Sequence, residues 1–228
     1  MDKDKLKQLT AEKAVTYIQS GMVVGMGHGS TALKAAKELG RLIREGKLRE
    51  ILVIPCSKEI EQELRSQNVP LTTLNEHPSI DLTIDGADEV DPKLNLIKGG
   101  GGALLREKIV ARASKKEIII VDESKLSDTL GKKSKLPIEV VPIERTRVVQ
   151  FLQSLGARTN FRVRKDGSDF KTEQENIILD CDFGSISNPY KLAEKLDKQL
   201  GIVEHGLFLD IASEVIVAGK NGVKILRR

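Results

Sequence analysis

The chain has 228 residues, 39% hydrophobic and 31% charged, enough to build a sizeable core and too patterned for intrinsic disorder. A net charge of +4, with basic and acidic residues interleaved, describes a solvated surface mildly favourable to anionic substrates, and 3% aromatics with no Trp leaves no stacking platform for single-stranded nucleic acid. No window is apolar enough to span a bilayer and residues 1–15 lack an apolar signal core, so neither membrane nor nucleic acid is an expected partner and a cytoplasmic location is expected.

Leu6, Leu9, Ala14, Val15 and Ile18 recur at helical spacing and predict a helix over 4–20, stopped by Gly21. Met22–Met26 reads as a buried strand, and Ser30 as the cap of a helix running to about Glu45. Ile51–Ile54 is the next strand and Ser57–Gln67 the next helix; Leu71–Leu74 and Leu82–Ile84 are strand-like. A helix follows the glycines at 99–102 and ends near Ser114, and Glu117–Val121 is a further strand. Strands alternating with helices specify an α/β fold, a Rossmann-like parallel sheet with helices on both faces.

Beyond the polar, Lys-rich stretch 122–136 the rhythm changes. Pro137–Val141 and Ala157–Arg164 read as strands around a helix at 144–155. Asn176–Asp182 is another strand and Pro189–Leu200 a helix. This β-α-β-β-α-β order predicts a smaller α+β, ferredoxin-like domain over 131–205. Glu214–Ala218 and Val223–Leu226 are strands around a Gly-Lys-Asn-Gly turn that return to the first sheet, which then spans 1–130 and 206–228. Cys56 and Cys181 are far apart and lack a ligand pattern, so both are expected to be buried thiols.

Three stretches carry chemistry. Gly25-Met26-Gly27-His28-Gly29-Ser30-Thr31 lies between a strand and a helix, where backbone N–H groups, the helix N-terminus and two hydroxyls can hold a phosphate. A dinucleotide fingerprint is excluded, because Ser30 stands at the third glycine position and no acid closes the second strand. A nucleotide P-loop is excluded as well, since no Gly-Lys pair carries the full pattern.

The second stretch is Thr83-Ile84-Asp85-Gly86-Ala87-Asp88-Glu89-Val90-Asp91, a buried strand that runs into four carboxylates. Gly86 and Ala87 keep the turn small, so Asp85 and Asp88 can both face a ligand at the strand's carboxyl end, while Glu89 and Asp91 point to solvent or cap local structure. Calcium-loop spacing is absent, and magnesium finds no further ligands. The third stretch is Lys98-Gly99-Gly100-Gly101-Gly102 and the helix after it. The glycines offer a nest of amides beside a cation able to stabilise an oxyanion, and Glu107 in the first turns can lean back toward them. Lys125 closes a further strand, in Asp122-Glu123-Ser124-Lys125.

These residues resemble the A-type ribose-5-phosphate isomerase family. The matching segments are GMGHGST (25–31), TIDGADEVD (83–91), KGGGGALLREKIV (98–110), VDESK (121–125), LPIEV (136–140) and GIVEHGLF (201–208), in family order over nearly the whole chain. The resemblance implies interconversion of ribose 5-phosphate and ribulose 5-phosphate in the non-oxidative pentose phosphate pathway, without metal or cofactor. It implies that Glu107 carries the proton between C2 and C1, that Asp85 and Asp88 handle sugar hydroxyls and ring opening, and that Lys98 holds the enediolate oxygen. Residues His28, Gly29, Ser30, Thr31, Asp85, Gly86, Ala87, Asp88, Lys98, Gly99, Gly100, Gly101 and Lys125 form the implied substrate site, with Ser30, Thr31 and Lys125 at the phosphate. A homo-oligomer, dimer or tetramer, is implied too. His28 stands where the family has Thr or Ser, Gly102 where Ala is common, and Asp182-Phe183-Gly184 where Asp-Asn-Gly is typical.

Three rival readings use related folds. A sugar-phosphate-sensing regulator needs a DNA-binding module, for which the sequence leaves no room before its first strand. An aminosugar-phosphate deaminase wants a His near its acids, for which His205 is the candidate; an acyl-CoA transferase wants a glutamate motif that is not found.

Overall fold

Short apolar strands alternating with amphipathic helices build a parallel sheet, because each strand needs a crossover of helical length to run the same way as its neighbour. A computed structural model describes residues 2–228. Its elements begin α1 (Lys3–Val15), β1 (Val23–Met26), α2 (Ser30–Arg44), β2 (Leu52–Pro55), α3 (Lys58–Ser66), β3 (Leu82–Asp85), β4 (Glu89–Val90), β5 (Leu96–Ile97), α4 (Leu104–Arg112) and β6 (Glu117–Asp122). They continue with β7 (Leu136–Val140), α5 (Arg145–Ser154), β8 (Arg158–Phe161), β9 (Ile177–Asp182), α6 (Pro189–Asp197), β10 (Ile202–His205), β11 (Leu207–Phe208), β12 (Glu214–Gly219) and β13 (Gly222–Arg227). Single 3₁₀ turns sit at Glu123–Lys125 and Pro142–Glu144.

The chain divides into two compact units. The first comprises Met1–Ala87, Arg106–Lys125 and Ile211–Arg228, and the second Asp88–Leu105 and Leu126–Asp210. The first holds a six-stranded sheet in the order β13-β12-β6-β3-β1-β2, parallel except for the β12–β13 hairpin. Adjacent residues on a strand face opposite sides of a sheet. Accordingly Val53 of β2 packs with Ala11, Ala14, Ala35, Leu39 and Ile60 of α1, α2 and α3, whereas the next residue, Ile54, packs with Val110 of α4. Helices therefore cover both faces, and every residue of β6 and β12 is buried. Each fully buried Ile or Val contributes roughly 1.5–3 kcal/mol relative to exposure, which is why these central strands read as unbroken apolar runs.

In the second unit β7, β8, β9 and β10 form an antiparallel sheet in the order β10-β7-β9-β8, the ferredoxin-like order of a split β-α-β repeat. Asn188 caps α6, its Oδ1 accepting the Lys191 N–H at 3.0 Å, with Pro189 at the first helical position. A second, three-stranded antiparallel sheet pairs β11 with β5 and β5 with β4. The sequence reading divides the chain at 130/131 and 205/206. The compact units instead group 88–105, 126–130 and 206–210 with the second unit, because β4, β5 and β11 pair with one another and the Gly206 N–H donates to the Pro137 carbonyl at 2.8 Å.

Three local readings differ from the structure. Helix α1 ends at Val15, and the chain turns through the Tyr17 and Ile18 N–H groups onto the Ala14 and Val15 carbonyls, rather than continuing to 20. Leu71–Leu74 makes one bridge, from Leu71 to Val53, and no strand. There the Glu76 carboxylate accepts the Thr72 and Thr73 hydroxyls and the Thr73 N–H at 3.0–3.1 Å, and such side-chain bonds compete with a ladder. Ala157–Arg164 shortens to β8, followed by an isolated Val163–Asp169 bridge.

Candidate active site

Of the residues singled out in the sequence, His28 to Thr31, Asp85 to Ala87, Glu107 and Lys125 fall in the first unit; Asp88 and Lys98 to Gly101 fall in the second. Strands β1 and β3 are parallel neighbours, so the loops at their carboxyl ends meet. The Gly27 N–H donates to the Ile84 carbonyl at 2.9 Å, extending the ladder by one rung. Asp85, fully buried, then accepts the His28 N–H at 3.1 Å and the Gly86 N–H at 2.7 Å. A Cβ on Gly27 would fall on the Asp85 carboxyl group, so this close approach requires glycine. The His28 ring turns to α3, with Nδ1 2.9 Å from Ser57 Oγ and 3.5 Å from Glu59 Oε2; what His28 gives Asp85 is its backbone N–H.

Ser30 is the first residue of α2 and not its cap. Gly29 occupies the cap position at φ 98°, a conformation that disfavours side chains, and makes no side-chain capping bond. The Lys7 ammonium donates to Ser30 Oγ at 2.8 Å and brings a cation to the start of α2. Sequence reasoning passed over Lys7 as part of a solvated helix face. The available signal was topological: a helix that precedes a parallel strand starts at that strand's carboxyl end, where ligands bind. At the carboxyl end of β6, burial opposes ionisation of Asp122, but the Ser124 hydroxyl and N–H and the charges of Lys125 and Lys3 outweigh it and hold the carboxyl below its usual range. Lys125 itself is half-buried in the 3₁₀ turn after β6.

In the second unit Asp88 is half-buried. Its N–H donates to the Ile97 carbonyl at 2.8 Å, and its carboxylate accepts the Gly100 N–H at 2.7 Å. Lys98 is buried; its N–H donates to the Gly206 carbonyl at 2.9 Å and its ammonium lies 5.3 Å from the centre of the Phe208 ring. Glu89, read from sequence as solvent-facing or capping, is fully buried and accepts the N–H groups of Gly131, Lys133 and Ser134 at 3.0–3.2 Å, so it organises the 131–134 loop. Asp91 accepts the Lys93 and Asn95 N–H groups, both at 2.8 Å, and shapes the turn between β4 and β5.

Glu107 is the fourth residue of α4 and only 4% exposed. His205, the deaminase candidate, has Nε2 3.0 Å from Asp197 Oδ1 and accepts the Leu207 N–H at Nδ1, so it serves the β10 edge. Among the described residues no group of three or more His, Cys, Asp and Glu is placed to hold a metal ion, and no helix is long and apolar enough to cross a membrane. The chemistry in hand is thus a buried carboxylate, two amide-held aspartates, a buried ammonium and a cation beside a glycine loop.

Comparison with known proteins identifies the family of the chain. The family described as ribose 5-phosphate isomerase A (phosphoriboisomerase A) matches residues 52–222. A protein from Desulfatibacillum aliphaticivorans named ribose-5-phosphate isomerase A is 54% identical over 98% of this chain and 97% of its own length. One of the same name from Chloroflexus aurantiacus is 48% identical over 96% of this chain and 91% of its own. A solved structure of D-ribose-5-phosphate isomerase in complex with phospho-erythronic acid superposes with a TM-score of 0.98, at 36% identity, over the whole of both chains.

Proposed function

Since this chain belongs to the ribose 5-phosphate isomerase A family, we propose how its residues divide the work of that reaction. The protein is an aldose–ketose isomerase that interconverts ribose 5-phosphate and ribulose 5-phosphate. The near-full-length relation to proteins of that name carries this conclusion.

Exchange of the carbonyl between C1 and C2 moves two protons: C2 loses one and C1 gains one, while O2 loses one and O1 gains one. Glu107 takes the C2 proton and returns it to C1; its burial supports this role. Between the two transfers negative charge builds on the enediolate oxygens, and the buried Lys98 ammonium stabilises it, worth far more in a desolvated setting than in water. Asp85 and Asp88 accept sugar hydroxyls and pass the oxygen protons, including that of ring opening. Their amide bonds fix which lone pairs face the sugar. Ser30, Thr31 and Lys125 hold the phosphate, joined by Lys7 through its contact with Ser30. Backbone groups of His28, Gly29, Gly86, Ala87, Gly99, Gly100 and Gly101 complete the substrate contacts.

The ligand in the solved relative fits this reading. Phospho-erythronic acid carries a phosphate and a planar, charged carboxylate, the same features an enediolate of a sugar phosphate presents. We place the protein in the cytoplasm, in the non-oxidative pentose phosphate pathway; in support, Cys56 and Cys181 are both buried thiols, and burial pushes Cys181 up to about 12. A homodimer or tetramer is the assembly family membership favours, testable by light scattering on the purified chain.

A coupled assay for ribulose 5-phosphate, run with ribose 5-phosphate against glucosamine 6-phosphate, tests the function. Turnover of the first alone is expected. Ammonia release from glucosamine 6-phosphate without pentose turnover would replace the isomerase with a deaminase.

A further inference from the structure

Four consecutive glycines carry the largest backbone freedom any segment can have, so a run at 99–102 does not by itself aim an N–H group. Something must fix the Gly100 amide that holds Asp88. Arg162 lies just past β8, where its own N–H donates to the Ile178 carbonyl at 2.8 Å and keeps it in register with β9. Its side chain is 13% exposed. Nε donates to Asp180 Oδ2 at 3.0 Å and Nη2 to Asp180 Oδ1, the two-pronged pairing that locks a guanidinium in plane. The remaining nitrogen, Nη1, donates to the Gly99 carbonyl at 2.9 Å and to the Gly100 carbonyl at 3.1 Å. The Phe170 ring lies 5.6 Å from the guanidinium. Asp88, Gly100, Arg162 and Asp180 line one cavity of about 270 Å³.

We propose that Arg162 is a positioning residue for the isomerase reaction: braced on Asp180, it fixes the Gly99 and Gly100 peptides so that the Gly100 N–H aims the Asp88 carboxylate at the sugar. The inference rests on the role given to Asp88 above. Lysine cannot replace it, because a point charge on a flexible stem cannot pair with Asp180 through two nitrogens and bridge two carbonyls with a third. Misplacing a reacting group by about 1 Å costs on the order of 10²-fold in rate, and the loss falls chiefly on kcat, because Asp88 passes the oxygen protons while the phosphate contacts that anchor the substrate are left in place.

Steady-state turnover of ribose 5-phosphate by the wild type, Arg162→Ala, Arg162→Lys and Asp180→Asn tests this. Arg162→Ala is expected to lose on the order of 10²-fold in kcat with KM within about threefold, and millimolar guanidinium to restore several-fold of that loss in this variant and nothing in the wild type. Arg162→Lys and Asp180→Asn should show smaller losses of the same kind. A kcat within about twofold of wild type in Arg162→Ala, a loss confined to KM, or no rescue by guanidinium overturns the proposal. Should Arg162→Ala fail to fold, wild-type kcat in both Arg162→Lys and Asp180→Asn overturns it equally. Wild-type protein that does not turn over ribose 5-phosphate defeats the isomerase reading and this inference together, whereas active wild type with unaffected variants defeats the inference alone.

Discussion

Asp85 and Asp88 are three residues apart in the chain, belong to different compact units, and are each held by backbone amides, yet by routes of different length. Asp85 takes the N–H of its successor, Gly86, and that of His28 in the loop after the neighbouring strand. The order of the parallel sheet supplies this geometry. Asp88 takes the Gly100 N–H, in a loop tethered by the side chain of Arg162, 63 residues beyond Gly99. A carboxylate at the end of a parallel strand inherits its position from the sheet; one in an irregular segment needs dedicated side chains. The first arrangement is therefore sensitive to backbone crowding and the second to side-chain loss.

The largest effect sets the scale. Glu107→Ala is expected to keep the fold and lose about 10³-fold or more in kcat, since general-base removal typically costs 10²–10⁴-fold; circular dichroism and the coupled assay check it, and near-normal turnover would move the base elsewhere. Gly27→Ala probes the sheet-determined acid. Its methyl falls on the Asp85 carboxyl group, so turnover should drop on the order of 10²-fold and stability by about 1–3 kcal/mol. A variant with full activity would break the contrast, because Asp85 would then not depend on the glycine loop. Lys7→Ala sharpens it from the phosphate end: KM for ribose 5-phosphate should rise roughly tenfold with kcat nearly unchanged, as when uniform binding is removed. An unchanged KM would leave the Lys7–Ser30 contact structural.

The smallest effect concerns the side-chain-built unit. Burial raises the Glu139 carboxyl above its ordinary range, against the Asn176 and Thr172 hydrogen bonds that lower it, and the nearby Glu204 charge raises it further. A raised carboxyl binds its proton more tightly folded than unfolded. Its contribution to stability is therefore full below the ordinary glutamate pKa and is lost as pH rises through the raised value. Glu139→Gln, which keeps an acceptor for Thr172 and Asn176 at 2.8 and 2.9 Å, should equal the wild type in acid and exceed it by about 1 kcal/mol toward neutrality. Melting curves across pH check this; a gap that widens in acid instead would reverse the sign.

The same contrast governs how much could be read without coordinates. The parallel unit was legible because apolar runs such as Glu117–Asp122 announce buried strands, and Asp85 stands at the end of one. Strands β4, β5 and β11 have two residues each, too few to show a period, so the sheet that carries Glu89 and Ile97 left no sequence signal. Glu89 reads as one more solvated acid until the three amides of 131–134 are seen around it. Arg162 was hidden for the same reason: its partners at 99, 100 and 180 are brought to it by pairing of β8 with β9 and by a glycine loop of no fixed shape. Glu107 was the least conspicuous of the candidates and depended most on the resemblance, since Arg106 and Lys108 flank it in sequence and offer it ordinary surface partners.

The place of β12 in the first sheet has a consequence for biosynthesis. It lies between β6 and β13, so the flank of β6 is completed by residues made some 90 positions later, at 214–219. At about 5–20 residues per second the ribosome leaves that flank open for on the order of ten seconds. During that interval a run of four aliphatic residues, Ile118 to Val121, offers an unpaired edge to any other nascent chain. Overexpression should thus be limited by co-translational aggregation more than by the stability of the finished protein, and slower synthesis at low temperature or chaperone supply would raise the soluble yield.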